Sequence, residues 1–228
     1  MTVLAAHNWA SNADLMADVH TLYPLDEVRD VTHGRGLWWA KHRPRILVGS
    51  DIRGYPDGVG PLGAICADPP VDFLNLPDDD DTWPVVAFDP PYLPQTAAQQ
   101  SSSKLARPEG SDTSDFGDRY GLHTGHASNW IELRALIAGG IKECARICAP
   151  KGIVLVKCMN YVVGGKHRPQ VAWAIADGET AGLEVAAQFV HIKGTGPQPT
   201  LKADGTPRVV RSPRANYSTL IVFKKASQ

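Results

Sequence analysis

The apolar run Val85-Val86-Ala87-Phe88 is closed by Pro84 on one side and by Asp89-Pro90-Pro91-Tyr92 on the other. Four consecutive apolar residues without polar alternation fit a strand covered on both faces, as in a parallel sheet between helices. The polar tetrad then falls at that strand's carboxyl end, the edge of an open α/β sheet where ligands bind. Two successive prolines fix φ and remove two backbone donors, so the loop is stiff and its carbonyls stay where they are aimed. An acid, rigid carbonyls and an aromatic ring converge there. Asp68-Pro69-Pro70, followed by Val71 instead of an aromatic residue, shows that the triplet alone is only turn chemistry in a chain with 18 prolines. What surrounds the later occurrence sets it apart.

Upstream, Val28-Arg29-Asp30-Val31-Thr32-His33-Gly34-Arg35-Gly36-Leu37-Trp38-Trp39 predicts a short strand, a Gly-x-Gly turn and a helix start. Glycines let the backbone approach a ligand closely, and the free N–H groups of a following helix face it. Trp39 stands where a dinucleotide-binding loop needs Gly or Ala for close helix packing, which counts against a dehydrogenase. A second short strand, Arg45-Ile46-Leu47-Val48-Gly49-Ser50-Asp51, ends in an acid placed to accept bonds from both hydroxyls of a ribose. Asp72-Phe73-Leu74-Asn75-Leu76-Pro77 follows, before the strand that carries Asp89.

In this order, spaced as successive βα units, the glycine turn, Asp51, the Asp72 segment and the Asp89 tetrad resemble the DPPY-type amino-methyltransferases that use S-adenosylmethionine. These enzymes methylate adenine N6 or cytosine N4 in nucleic acids. The resemblance covers residues 25–95 and continues through Lys151-Gly152-Ile153-Val154-Leu155-Val156-Lys157 as a fifth strand and residues 216–223 as the closing one. It implies a class I, Rossmann-like α/β fold: a seven-stranded, mostly parallel sheet with helices on both faces and an antiparallel last strand. It further implies S-adenosyl-L-methionine as cofactor, with Asp30, Thr32, Gly34 and Gly36 beside its methionine part, Asp51 on the ribose, and Asp72 and Phe73 on the adenine. The Asp72 segment resembles the family's D-A-x-x-L-P, and Asp68 is the competing candidate. Asp89, Pro90, Pro91 and Tyr92 would be the catalytic loop.

A length of 228 residues suits one domain over 1–228. Apolar residues at three- and four-residue steps predict a helix over residues 129–148, with Asn129 and Glu132 as its cap and Gly139-Gly140 weakening it. Residues 168–181 predict a shorter helix and 183–192 a sixth strand. Residues 93–127 are rich in Gln, Ser, Gly and Asp and too long for a plain connector, so they are a mobile lid or a disordered insert.

The formal net charge of −1 hides an asymmetry: residues 1–92 hold 6 Lys and Arg against 14 Asp and Glu, whereas residues 151–228 hold 11 against 4. A cofactor half and a polyanion half would differ in this way. Lys193, Lys202, Arg208, Arg211 and Arg214 form a basic cluster in a Gly- and Pro-rich loop, where extended cations can track phosphates. The run Asp78-Asp79-Asp80-Asp81 is expected to be a solvated turn, since a calcium loop needs a central glycine and a distal Glu. Cys66, Cys144, Cys148 and Cys158 contain no CxxC pair, and neither a metal site nor a disulfide framework is implied. Among the histidines, His33 and His167 lie near the predicted chemistry. The chain has no leader pattern and no apolar run near 18 residues, so a cytoplasmic protein is expected.

Methylation of cytosine carbon 5 would need a cysteine nucleophile, usually after proline, and no Pro-Cys pair occurs. The expected partner is therefore nucleic acid, DNA before RNA, modified at an exocyclic amine. Adenine N6 comes first, as in restriction and modification systems or phage-type modification, and cytosine N4 and RNA bases stay open. A protein glutamine methyltransferase, whose similar loop usually begins with Asn, and a nucleic-acid-binding pseudoenzyme are the other readings.

Overall fold

A computed structural model of the chain describes residues 3–66, 69–94, 127–163, 166–192 and 217–227. In chain order the elements are β1 (Val3–His7), α1 (Asn12–Leu22), β2 (Glu27–Asp30), β3 (Ile46–Gly49), β4 (Ile65–Cys66), β5 (Trp83–Phe88), α2 (Trp130–Ile147), β6 (Cys148–Cys158), β7 (Tyr161–Val163), β8 (Lys166–Arg168), α3 (Gln170–Thr180), β9 (Leu183–Ile192) and β10 (Tyr217–Lys225). The main sheet has the order β1-β9-β10-β6-β5-β2-β3-β4, and β7 and β8 form a separate hairpin. Among the described residues its pairings are parallel except the two made by β10, which lies antiparallel between β6 and β9. Seven of these strands, β2 to β6 with β9 and β10, make the expected class I methyltransferase sheet. The eighth, β1, extends it by pairing parallel to β9, with Val3 opposite Ala187.

Alternate residues of β5 serve different faces, which explains its uninterrupted apolar run. Val86 and Phe88 pack with Leu133, Ile137, Ile141 and Cys144 of α2. Val85 and Ala87 join Leu15, Met16 and Val19 of α1 on the opposite face. The chain order reverses between β2 and β5, because β2 leads outward to β3 and β4 on one side while β5 leads to β6 on the other. Such a switch point opens a crevice at the carboxyl ends of its two strands. Asp30 ends β2 and Asp89 directly follows β5.

Helix α2 confirms its cap. Asn129 Oδ1 accepts from the N–H groups of Ile131 and Glu132 at 3.0 and 3.1 Å, while Glu132 accepts from Ser128 N at 2.7 Å and from Asn129 Nδ2 at 2.8 Å. Its glycine pair does not break it. A Cβ at Gly140 would lie 2.3 Å from Phe88 Cζ, so the missing side chain lets the ring from β5 nest against the helix. Cys148 leaves the helix and opens β6, buried like the other three cysteines.

One expectation is corrected and one is extended. The glycine turn leads into a single 3₁₀ turn, Leu37–Trp39, not an α-helix. Both indoles are spent on tertiary hydrogen bonds, and Pro44 follows too soon for a helix to extend. The acidic run is a largely exposed turn, as expected, but it also carries ion pairs. Asp78 forms a bidentate pair with the buried Arg29 at 2.9 and 3.1 Å and accepts from Trp83 Nε1 at 2.7 Å. Asp80 pairs with Arg146 at 2.7 Å and Asp81 with Lys225 at 2.5 Å, tying the run to the end of α2 and to β10. Among the described residues no helix is long and apolar enough to cross a membrane, and no group of three or more His, Cys, Asp or Glu residues could hold a metal ion.

Candidate active site

At the switch point the chain leaves β2 through Asp30 and turns at Gly34 and Gly36, whose φ values of 53° and 66° lie in the left-handed region that suits glycine. Asp30 organises this turn from beneath. Its Oδ2 accepts from Trp39 Nε1 at 2.8 Å and meets His33 Nδ1 at 3.1 Å, while Oδ1 accepts from Thr32 N at 3.1 Å. The His33 ring is buried, with Nε2 3.3 Å from the Pro61 carbonyl. Burial works to lower the imidazole pKa, but the hydrogen bond and charge of Asp30 outweigh it and raise the group above its ordinary range. From the other side Tyr55 donates its hydroxyl to the Gly34 carbonyl at 2.8 Å. The glycine turn is thus pinned from below by side chains.

The Asp89 loop is joined to that turn. Asp89 N–H donates to Thr32 Oγ1 at 2.7 Å, and Trp38 Nε1 donates to Asp89 Oδ2 at 3.0 Å. Tyr92 donates its hydroxyl to Asp89 Oδ1. Desolvation raises the Asp89 pKa, and the charge of Lys157 and the bonds from Tyr92 and Trp38 offset only part of that rise. Lys157, on β6, is fully buried and lies 6.0 Å from the centre of the Tyr92 ring.

One cleft runs from the glycine turn to this acid. Asp30, Thr32, Gly34, Asp51 and Phe73 line it from the expected cofactor set, and Asp89, Pro91 and Tyr92 from the expected catalytic set. Asp51 accepts from Arg53 Nε at 2.8 Å and from its backbone N–H at 2.9 Å, with Oδ2 facing the Gly34 Cα. Gly36 and Pro90 are not among the residues that line the cleft. Asp72 is exposed and closes its own turn by accepting from Leu74 N at 2.9 Å, so Phe73 is the residue of that segment that reaches the cleft. His167 lies exposed on β8. Asp68, the cluster Lys193, Lys202, Arg208, Arg211 and Arg214, and nearly all of 93–127 lie outside the described residues.

Sequence reasoning does not reach Asn12, Trp38 and Lys157. Asn12 and Trp38 line the cleft, and Lys157 donates to Asn12 Oδ1 at 2.5 Å. A lysine inside an otherwise apolar strand is the one signal that could have marked the last of them.

No protein-family model matches the sequence, and no curated protein matches it. Solved structures are similar at low identity. A hemolysin candidate from Streptococcus thermophilus has a TM-score of 0.52 at 8% identity, covering 96% of this chain and 69% of its own. The 4+2 cyclase SpnF gives 0.51 at 12%, covering 95% and 81%. A DNA modification methylase candidate from Thermus thermophilus, solved with S-adenosyl-L-methionine, gives 0.38 at 11%, covering 68% and 50%. At such identities the likeness is one of fold, the class I methyltransferase fold. The first two names show how differently that fold is used, so the chemistry is argued from the site.

Proposed function

We propose that the chain transfers a methyl group from S-adenosyl-L-methionine to an exocyclic amino group of a nucleic-acid base, with adenine N6 in DNA as the acceptor. The observation that carries this reading is a single cleft with a glycine turn at one end and, at the other, an acid held by Trp38 and a stiff Pro-Pro loop. The cleft suits the cofactor. Gly34 leaves no side chain between the turn and Asp51 Oδ2, which lies 3.8 Å from where a Cβ would stand. In this reading Gly34 and Thr32 flank the methionine part, Asp51 accepts from the ribose and the Phe73 ring covers the adenine. Bound there, the cofactor supplies an electrophilic methyl group.

The chain's own residues must position a poor nucleophile, since the lone pair of an exocyclic amine is conjugated into its ring. Asp89 accepts one N–H of the amine and the Pro90 carbonyl the other, which turns the nitrogen toward tetrahedral geometry. As positive charge develops on that nitrogen, the carboxylate stabilises it in a water-poor pocket. The raised pKa of Asp89 also makes it a better acceptor for the proton the methylated amine releases. The ring of Tyr92 stacks on a base taken from a single strand or flipped from a duplex.

The test is to incubate the protein with methyl-labelled cofactor and DNA, RNA or protein, and to digest the products for mass spectrometry. Label in N6-methyldeoxyadenosine is expected, and Asp89→Ala should abolish it while cofactor affinity by calorimetry stays near wild type. Label in protein glutamine would refute the base reading, and binding without transfer would leave a pseudoenzyme.

A further inference from the structure

Strand β6 is apolar from Ile153 to Val156 and buries a cation at the next position. The side chain of Lys157 is fully buried, opposite Leu220 of β10 in the sheet. An ammonium removed from water is costly unless its charge and donors are met. Here Asn12, the first residue of α1, accepts from Nζ, and the Tyr92 ring lies 6.0 Å away, its hydroxyl committed to Asp89. A packing role on this strand would be filled as well by methionine. The charge is what distinguishes lysine at this place.

We propose that Lys157 is a positioning residue for Asp89: its ammonium, anchored by Asn12 beside the Tyr92 ring, keeps the carboxylate anionic and therefore able to accept the N–H of an incoming amine. This rests on the methyl-transfer reading above. Among the described residues, charged and titratable groups from several elements act at Asp89. Asp30, at the end of β2, opposes ionisation, as does the removal of Asp89 from water. His33 offsets Asp30 by binding its Oδ2. Tyr92, from the same loop, and Trp38, from the 3₁₀ turn, donate to the carboxylate, and Cys158 is a buried neutral thiol held well above its ordinary pKa. Among the described residues, Lys157 on β6 is the cation nearest the Tyr92 ring that caps Asp89, and its charge lowers the acid's pKa, while Arg35 lines the cleft beyond. Without Lys157, burial and Asp30 together favour the neutral acid, which presents a donor where an acceptor is needed.

The experiment is a carboxyl ¹³C NMR titration of Asp89, assigned by difference from Asp89→Asn, in wild type, Lys157→Met, Lys157→Arg and Asn12→Ala. Lys157→Met should move the Asp89 midpoint up by about one pH unit or more, the size expected for losing a nearby opposite charge. Lys157→Arg should restore most of the shift, and Asn12→Ala should move it less in the same direction. The acid limb of kcat/KM should move with the NMR midpoint, while cofactor affinity in the Lys157 variants stays within about twofold. An unmoved midpoint in Lys157→Met, or an Arg variant that behaves like Met, would overturn the proposal. Should Lys157→Met fail to fold, Asn12→Ala and Lys157→Arg decide it, a midpoint unmoved by Asn12→Ala counting against it. The titration needs no substrate, so absence of methyl transfer by the wild type would refute the functional reading while leaving this one separately judged.

Discussion

Two adjacent glycines on α2 give a paired test of how the site is supported. Replacing either by alanine should stabilise a helix interior by about 1 kcal/mol. At Gly139 the added Cβ would come within 2.7 Å of Leu74 Cδ2, the far end of a side chain that is 40% exposed and free to swing aside. At Gly140 it would fall 2.3 Å from Cζ and 2.9 Å from Cε1 of Phe88, a ring with no exposure that packs edge-on against Phe73 at 5.0 Å between centroids. Overpacking of this kind costs about 1–3 kcal/mol, more than the helix gains. Gly139→Ala should therefore be neutral or stabilising by up to about 1 kcal/mol, and Gly140→Ala destabilising by up to about 2 kcal/mol. In thermal unfolding the two should separate by about 4–8 °C. Because Phe88 immediately precedes Asp89 and Phe73 lines the cleft, only Gly140→Ala should also lower methyl transfer. Equal melting temperatures, or a more stable Gly140→Ala, would refute the claim that this glycine exists to seat Phe88.

Three further outcomes follow from the ion pairs and the charge pattern. Arg29→Met should cost about 3–5 kcal/mol in urea unfolding at neutral pH, because it strands Asp78 in a pair whose side chains are 3% and 11% exposed. Burial would raise the Asp78 pKa, but Arg29 and Trp83 hold it below the usual range. The stability from this pair is thus complete above about pH 4 and lost as pH falls through the folded value, a loss that urea titrations should show for wild type and find weakened in Arg29→Met. Asp51→Ala should weaken cofactor binding by about 1–3 kcal/mol in calorimetry, with an unchanged affinity removing Asp51 from the cofactor site. Arg208→Ala and Arg211→Ala should each reduce the slope of log affinity for DNA against log salt by up to about one unit, and unaltered slopes would assign that loop to solubility.

The parts of the fold visible in the sequence are those in which neighbours along the chain decide the outcome. The two-sided burial of Val85 to Phe88, the Asn129 cap and the apolar periods of β9 and β10 are local properties. What stayed hidden depends on partners far along the chain. The ion pairs of Asp78, Asp80 and Asp81 are an example, because Arg29, Arg146 and Lys225 stand 49, 66 and 144 residues away. The helix expected after Gly36 is cancelled by Trp38 and Trp39, whose indoles reach Asp89 and Asp30 across the crevice. In the site, acid and glycine types pointed correctly to Asp30, Gly34, Asp51 and Asp89 as cleft residues. Asp72 is the exception, because its side chain closes its own turn and the neighbouring Phe73, named with it, is the one that faces the cleft. Strand β1 escaped because its only pairing in the sheet is with β9, near the other end of the chain.

The hydroxyl that Tyr92 gives to Asp89 has a consequence for which amines can be accepted. On the methyl-transfer reading, an amine that takes the phenol's place at Oδ1 exchanges one charge-assisted hydrogen bond for another of similar strength. That exchange yields almost no net free energy, so the surplus needed for occupancy has to come from whatever else the visitor carries. A planar ring carries it, because the displaced phenol offers a face to stack on. Ammonia or an aliphatic amine brings no such surface and leaves the phenol in place. On the proposed reading the tyrosine would act as an internal competitor, and the chain would screen its acceptors by the ring that bears the nitrogen before the nitrogen itself is engaged.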